Sequence, residues 1–77
     1  VRMEVLRLAR EVLSDNDTAT IRNFPTHKEI ANRVNTHREA VTRELNELTR
    51  MGLIEQNKRA LTVKTVAGLT DLVSENI

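Results

Sequence analysis

Apolar residues return along this chain at two different spacings, and the changes of spacing mark out its elements. Over residues 2–14, Val5, Ala9, Val12 and Leu13 fall at helical intervals, with Arg2, Glu4, Arg7, Arg10 and Glu11 between them. That pattern predicts an amphipathic helix with one buried face. Ser14-Asp15-Asn16-Asp17, polar and rich in turn formers, ends it. Thr18 to Phe24 carries Thr, Ile and Phe in a short run closed by Pro25, which predicts a strand.

Two helix starts follow within ten residues of each other. Thr26-His27-Lys28-Glu29 fits a capping box, in which a Thr hydroxyl and a Glu three residues on satisfy each other's orphan backbone donors. Pro25 sharpens that start by biasing Phe24 away from helix. Ile30, Ala31 and Val34 supply an inward face. Asn35 is the expected corner, since Asn tolerates the left-handed conformation a sharp turn requires. Thr36-His37-Arg38-Glu39 repeats the capping-box pattern. Starts so close together force a short first helix and a tight turn, which is a helix-turn-helix over about residues 26–51.

The second of these helices, residues 36–51, has Val41, Leu45 and Leu48 as its core stripe. At about 100° per residue, Arg38, Glu39, Thr42, Arg43 and Asn46 share an arc of roughly 140° on another side. Gly52 after Met51 signals the C-terminus, with Arg50 favourable in the last turn. Residues 53–56 and 61–64 then alternate as paired strands around Asn57-Lys58-Arg59-Ala60, a hairpin with a basic tip that forms a wing over about residues 53–64. Thr65 is placed to cap a last short helix, about 65–74, with Val66, Leu69, Leu72 and Val73 apolar and the tail Ser74–Ile77 frayed. The expected fold is therefore a winged helix-turn-helix, mainly α with a small antiparallel β-hairpin, in one domain over residues 1–77.

Composition narrows the chemistry. With 77 residues the chain is near the lower limit at which an apolar core suffices, and that core must be aliphatic, because Phe24 is its one aromatic residue. There is no Cys, hence no disulfide framework or thiolate metal site, which fits a cytoplasmic protein. No apolar run approaches the roughly 20 residues of a membrane span. The net charge is only +1, but its distribution is uneven. Residues 26–64 hold eight Lys or Arg against five Glu, so this segment is +3 and the remainder −2. A local basic surface of that kind suits phosphates. An enzyme is not expected: there is no Gly-rich phosphate loop, and His27 and His37 have no evident triad partner and no metal-ligand spacing.

The polar side chains grouped on the second helix suit the edges of base pairs, as a helix in a major groove requires. In order, Thr26-x-x-Glu29-Ile30-Ala31, Arg38-Glu39-x-Val41-x-Arg43-x-Leu45-x-x-Leu48 and Gly52-Leu53-Ile54 resemble the DNA-binding domain of the cyclic-AMP receptor/fumarate-nitrate regulator (CRP/FNR) family of bacterial transcription factors. The resemblance runs from about Thr20 to Leu72. It implies that Arg43 donates two hydrogen bonds to a guanine and that Glu39 accepts from a cytosine amino group. Arg38 would bond a second guanine or the neighbouring phosphate, and Thr42 would meet a base or the backbone beside them. Thr26, His37, Asn46, Lys58 and Arg59 fall at phosphate-contacting positions. Two roles stay open for Glu39, reading a base or completing the second capping box.

Two departures from the family pattern are plain: Asn35 stands at a turn where Gly is usual, and the wing tip lacks a Gly. The resemblance further implies a duplex partner with an inverted repeat and guanine-containing half-sites near TGA. It implies a homodimeric parent protein, RNA polymerase as a further partner, and no cofactor in this chain. The effector-binding domain and dimer helix are expected upstream of Val1, which makes the chain a fragment. The competing reading is a winged helix used as a protein–protein interaction module without nucleic acid.

Overall fold

The computed structural model describes residues 1–75. Helix α1 (Arg2–Glu11) leads into strand β1 (Ala19–Ile21). The two helices of the helix-turn-helix follow, α2 (His27–Arg33) and α3 (Arg38–Arg50), then strands β2 (Ile54–Gln56) and β3 (Leu61–Val63) and helix α4 (Val66–Glu75). The three strands form one antiparallel sheet in the order β1-β3-β2. The wing is therefore more than a hairpin, because β1 pairs with its second strand. Alternation puts Ala19, Ile21, Ile54, Leu61 and Val63 inward. The Thr20 and Thr62 hydroxyls meet at 3.3 Å on the other face. Val5, Leu6 and Ala9 of α1, Ile30 and Ala31 of α2, the α3 stripe, and Val66 and Leu69 of α4 complete one aliphatic core.

Several expectations are corrected. The first helix stops at Glu11, because Val12 leaves helical geometry at φ −127°, ψ 23°. Val12 and Leu13 are consequently 46% and 51% exposed and do not join the buried face, whose third member is Leu6. Leu13 instead forms an isolated bridge with Ala19. Strand β1 is short, since Asn23 turns the chain at φ +53° and leaves Phe24 outside the ladder. Ser74 and Glu75 are helical rather than frayed; the rest of the expected tail, residues 76 and 77, lies outside the described residues.

The first capping box forms as read. Thr26 Oγ1 accepts from the Glu29 N–H and Glu29 Oε1 accepts from the Thr26 N–H, both at 3.1 Å. Asn35 takes the left-handed conformation, φ +57°. The second box does not form. His37, not Thr36, is the N-cap of α3, with Nδ1 accepting from the Ala40 N–H at 3.3 Å. The third helical residue is then Ala40, which has no side chain to reach back, and the Thr36 N–H closes α2 by bonding the Ala31 carbonyl.

At the other end of α3 the Leu53 and Gly52 N–H groups bond the Leu48 and Thr49 carbonyls, with Gly52 at φ +77°. A Cβ at Gly52 would meet nothing within 4 Å. Gly52→Ala is therefore expected to cost only the left-handed backbone strain, about 1–2 kcal/mol, read as a shift in the urea midpoint. A larger loss would mean that crowding, not conformation, governs this corner.

Helix α4 is capped from a distance. Thr65 Oγ1 accepts from the Gly68 N–H as expected, and donates at 2.9 Å to Asp17, whose carboxylate also accepts from the Ala67 N–H. The Asp17 carbonyl takes the Val66 N–H. The polar stretch after α1 is thus the anchor of the last helix as well as a turn.

Helix α1 is latched to both helices of the helix-turn-helix by ion pairs, Arg2–Glu44 at 3.2 Å to α3 and Glu4–Arg33 at 3.1 Å to α2. The Glu4 side chain is 12% exposed and also meets Arg7 at 2.8 Å. Arg7 is the main cause holding its carboxyl down at about 2; burial opposes that shift and Arg33 adds to it. A depressed folded pKa contributes stability above the unfolded value, lost as pH falls. The domain should therefore weaken as pH drops from about 4.5 towards about 2. Unfolding midpoints of Glu4→Gln should lack Glu4's share of that acid sensitivity; an unaltered pH profile would contradict the latch.

Candidate nucleic-acid interface

The side of α3 away from the core carries the residues singled out from sequence. Arg38, Glu39, Arg43 and Asn46 are exposed, and Thr42 is half-buried. Neighbouring elements are joined to this face by specific contacts. At the start of α2, His27 Nδ1 lies 2.7 Å from Thr42 Oγ1. From β2, Gln56 Nε2 donates to Asn46 Oδ1 at 3.3 Å and to Thr49 Oγ1 at 2.9 Å. The wing is thereby braced against the C-terminal half of α3.

The wing tip is a two-residue loop. Asn57 and Ala60 exchange both backbone hydrogen bonds, at 2.9 and 3.2 Å, around Lys58 and Arg59. Neither loop residue has positive φ, although loops this short usually use it to match the strand twist. An outside contact fixes the tip instead: the Phe24 N–H donates to the Arg59 carbonyl at 2.8 Å. Between the α2 start and the tip lies a groove of about 410 Å³, bordered by Pro25, Thr26, His27, Lys58 and Arg59 with Leu45 and Leu61 beneath. Thr26, expected at a phosphate, thus lies across a shared groove from Lys58 and Arg59.

Charge pairing separates the basic residues into two groups. Arg2, Arg7, Arg33 and Arg50 are each engaged by a Glu, and Lys64 stands 4.0 Å from Glu55. Among the described residues, Lys28, Arg38, Arg43, Lys58 and Arg59 have no carboxylate partner, as is also true of Arg10 and Arg22. The cations without an ion-pair partner therefore include both arginines of the α3 face and both residues of the wing tip, with the Arg38 charge acting on the Glu39 carboxyl from beyond ion-pair distance.

His37 and Glu39 form a local pair. Glu39 Oε2 is 3.3 Å from His37 Nδ1, the same atom that accepts from the Ala40 N–H. One ring nitrogen cannot both accept from the Ala40 N–H and donate to Glu39, so Nδ1 serves one partner at a time. With Nδ1 unprotonated it caps α3, and Nε2–H is left as an outward donor. The Glu39 carboxyl is held below its usual range, first by its own backbone N–H and then by the neighbouring His37 and Arg38 charges. It is 78% exposed and has no Thr36 to cap with. Of its two open roles, completing a second capping box with Thr36 is not met; the carboxylate instead accepts from its own N–H in the first turn.

The contacts of His27 and Gln56 with this face join residues 15 and 10 positions apart. No local pattern announces such contacts.

A family model described as a Crp-like helix-turn-helix domain matches residues 4–72. The chain belongs to that family. Its members' helix-turn-helix is a DNA-binding domain of transcription regulators, so DNA binding is the activity of this domain. Among solved structures, the chain is similar to the CO-dependent transcription factor CooA from Carboxydothermus hydrogenoformans in its imidazole-bound form. Identity there is 25%, with a TM-score of 0.77, over 91% of this chain and 33% of that one. Unbound oxidised CprK is similar at 26% identity and a TM-score of 0.70, over 92% of this chain and 37% of that one. Oxidised CprK with o-chlorophenolacetic acid, at 24% identity and a TM-score of 0.77 over 92% and 30%, shares the fold. The chain spans about a third of the length of these structures. No curated protein matches it. Among the described residues, no helix is long and apolar enough to cross a membrane, and no cluster of His, Asp or Glu is arranged to hold a metal ion.

Proposed function

We propose that this domain binds duplex DNA sequence-specifically as the output part of a bacterial transcription regulator, with α3 in the major groove. The observation that carries this reading is the pair of arginines held in no ion pair, Arg38 and Arg43, on an exposed helix face flanked by the wing tip. Unpaired guanidinium groups keep all their donors for a guanine edge or a phosphate. Glu39 supplies the acceptor for a cytosine amino group, and Thr42 completes the base-facing set. Thr26, His37, Asn46, Lys58 and Arg59 hold the phosphates and set register.

Two copies on an inverted repeat would place their α3 helices about one helical turn apart, near 34–36 Å. Sensing and most of the dimer contact then belong to a part of the regulator outside this chain, and any contact with RNA polymerase is made by the assembled regulator.

Selection of bound sites from a random duplex pool tests the reading directly. One family of guanine-containing sites should emerge, with affinity falling steeply as salt rises. Lys58→Ala should weaken selected and unselected duplexes alike and reduce the slope of log K against log salt by about 1. If no duplex is bound in a salt-dependent manner, the domain is a protein-interaction module instead.

A further inference from the structure

Three threonines lie within helices α3 and α4, and one behaves differently. Thr49 Oγ1 donates to the Leu45 carbonyl at 2.9 Å and Thr70 Oγ1 to the Val66 carbonyl at 2.8 Å, the ordinary backbone bond of a helical threonine. Thr42 does not bond back. Its Oγ1 meets His27 Nδ1 at 2.7 Å, in the one side-chain hydrogen bond between α2 and α3 among the described residues. The side-chain torsion of Thr42 is therefore set by a residue on another helix.

Resting on the DNA-binding reading above, we propose that His27 is a positioning residue for base recognition, holding the Thr42 hydroxyl so that Thr42 meets the base pair through its methyl group and favours thymine. Thr42 lies next to Arg43 and one turn on from Arg38 and Glu39, within the base-facing arc. A threonine has two substituents beyond Cβ, and His27 occupies the polar one. The methyl is the substituent left to contact a base, and the thymine 5-methyl is its apolar counterpart in the major groove. His27 is suited to this task because it is half-buried at the first residue of α2, where the capping box anchors the backbone.

The test uses the duplex recovered from random-pool selection, with each thymine replaced in turn by deoxyuridine, which removes only the 5-methyl. At one position this should weaken binding by about fourfold, the value of one buried methyl group. Thr42→Val keeps a methyl and should keep that preference. Thr42→Ser keeps the hydroxyl and should lose it.

His27→Phe retains the ring but not Nδ1, and should bring the thymine-over-uracil ratio close to one. His27→Asn, which returns a polar atom near Nδ1, should restore part of it. In the Thr42→Val background, His27→Phe should have no further effect on the ratio. Should His27→Phe fail to fold, as read by thermal unfolding, His27→Ala and His27→Asn carry the comparison. A His27 variant that folds and keeps the full thymine preference overturns the proposal. So does a loss spread evenly over thymine and uracil duplexes, which would make His27 a strut or a phosphate contact. Failure to recover any preferred duplex would overturn the DNA reading itself, and this inference with it.

Discussion

Replacing Leu48 with alanine is expected to destabilise the domain by about 2–5 kcal/mol, the range for truncating a fully buried leucine. Leu48 is 0% exposed and belongs to the α3 stripe, with Val41 and Leu45, that closes the core beneath the exposed face of that helix. Natural domains hold roughly 0.05–0.15 kcal/mol per residue, so a chain of 77 residues has about 4–12 kcal/mol in total. A loss of about 5 kcal/mol would unfold most molecules at room temperature if the total lies at the low end of that range, and would leave a folded but weakened domain at the high end. With Phe24 as the sole aromatic and only half-buried, no large side chain stands ready to fill the void. Urea denaturation measures the effect, with Met51→Ala, at a 46% exposed position, as the control expected to stay within about 0.5 kcal/mol. A loss below 1 kcal/mol at Leu48 would show that the core collapses around the cavity.

Arg43→Ala should have the largest effect on recognition. A bidentate arginine–guanine pair is worth about 1–3 kcal/mol of discrimination, or roughly 5- to 150-fold in affinity ratio. The measurement compares the selected half-site with one in which the contacted guanine is replaced. The variant should lose affinity for the first and much less for the second. Equal loss on both would reduce Arg43 to a phosphate contact. Arg43→Lys should keep the charge, and with it the salt slope, while losing most of the guanine preference, because an ammonium lacks the planar fork. Comparison with Arg50 explains why Arg43 is available at all. Arg50 lies two turns on and is held by Glu47, while Arg43 has no carboxylate partner among the described residues.

Much of this architecture was legible because small domains place strong local signals at their boundaries. Thr26 with Glu29, Asn35, Gly52 and Thr65 each mark a corner through backbone chemistry that acts over three or four residues, and each occurs where it was read. The misread boundaries have equally local causes. Val12 and Leu13 continue a helical pattern that the backbone abandons at Val12. The Thr36…Glu39 pattern has the right residue types, but the helix starts one residue later, on His37, which left Ala40 where the box needs Glu.

The site was only half legible. Its outward charged set follows from helical periodicity, which places Arg38, Glu39, Thr42, Arg43 and Asn46 together whatever the rest of the chain does. What braces that set and the wing tip beside it depends on elements distant in sequence: His27 against Thr42, Gln56 against Asn46, and the Phe24 N–H on the Arg59 carbonyl. By itself, then, the sequence determined how many helices there are and in what order, where the capped corners at Thr26, Asn35, Gly52 and Thr65 fall, and which side chains α3 turns outward, since these follow from spacing and capping over a few residues. Only the tertiary structure decided that β1 completes the sheet, which cations lack a carboxylate partner, and which polar atoms of the reading face are already engaged. Those outcomes depend on which distant groups packing brings within hydrogen-bond reach, and no local pattern carries that information.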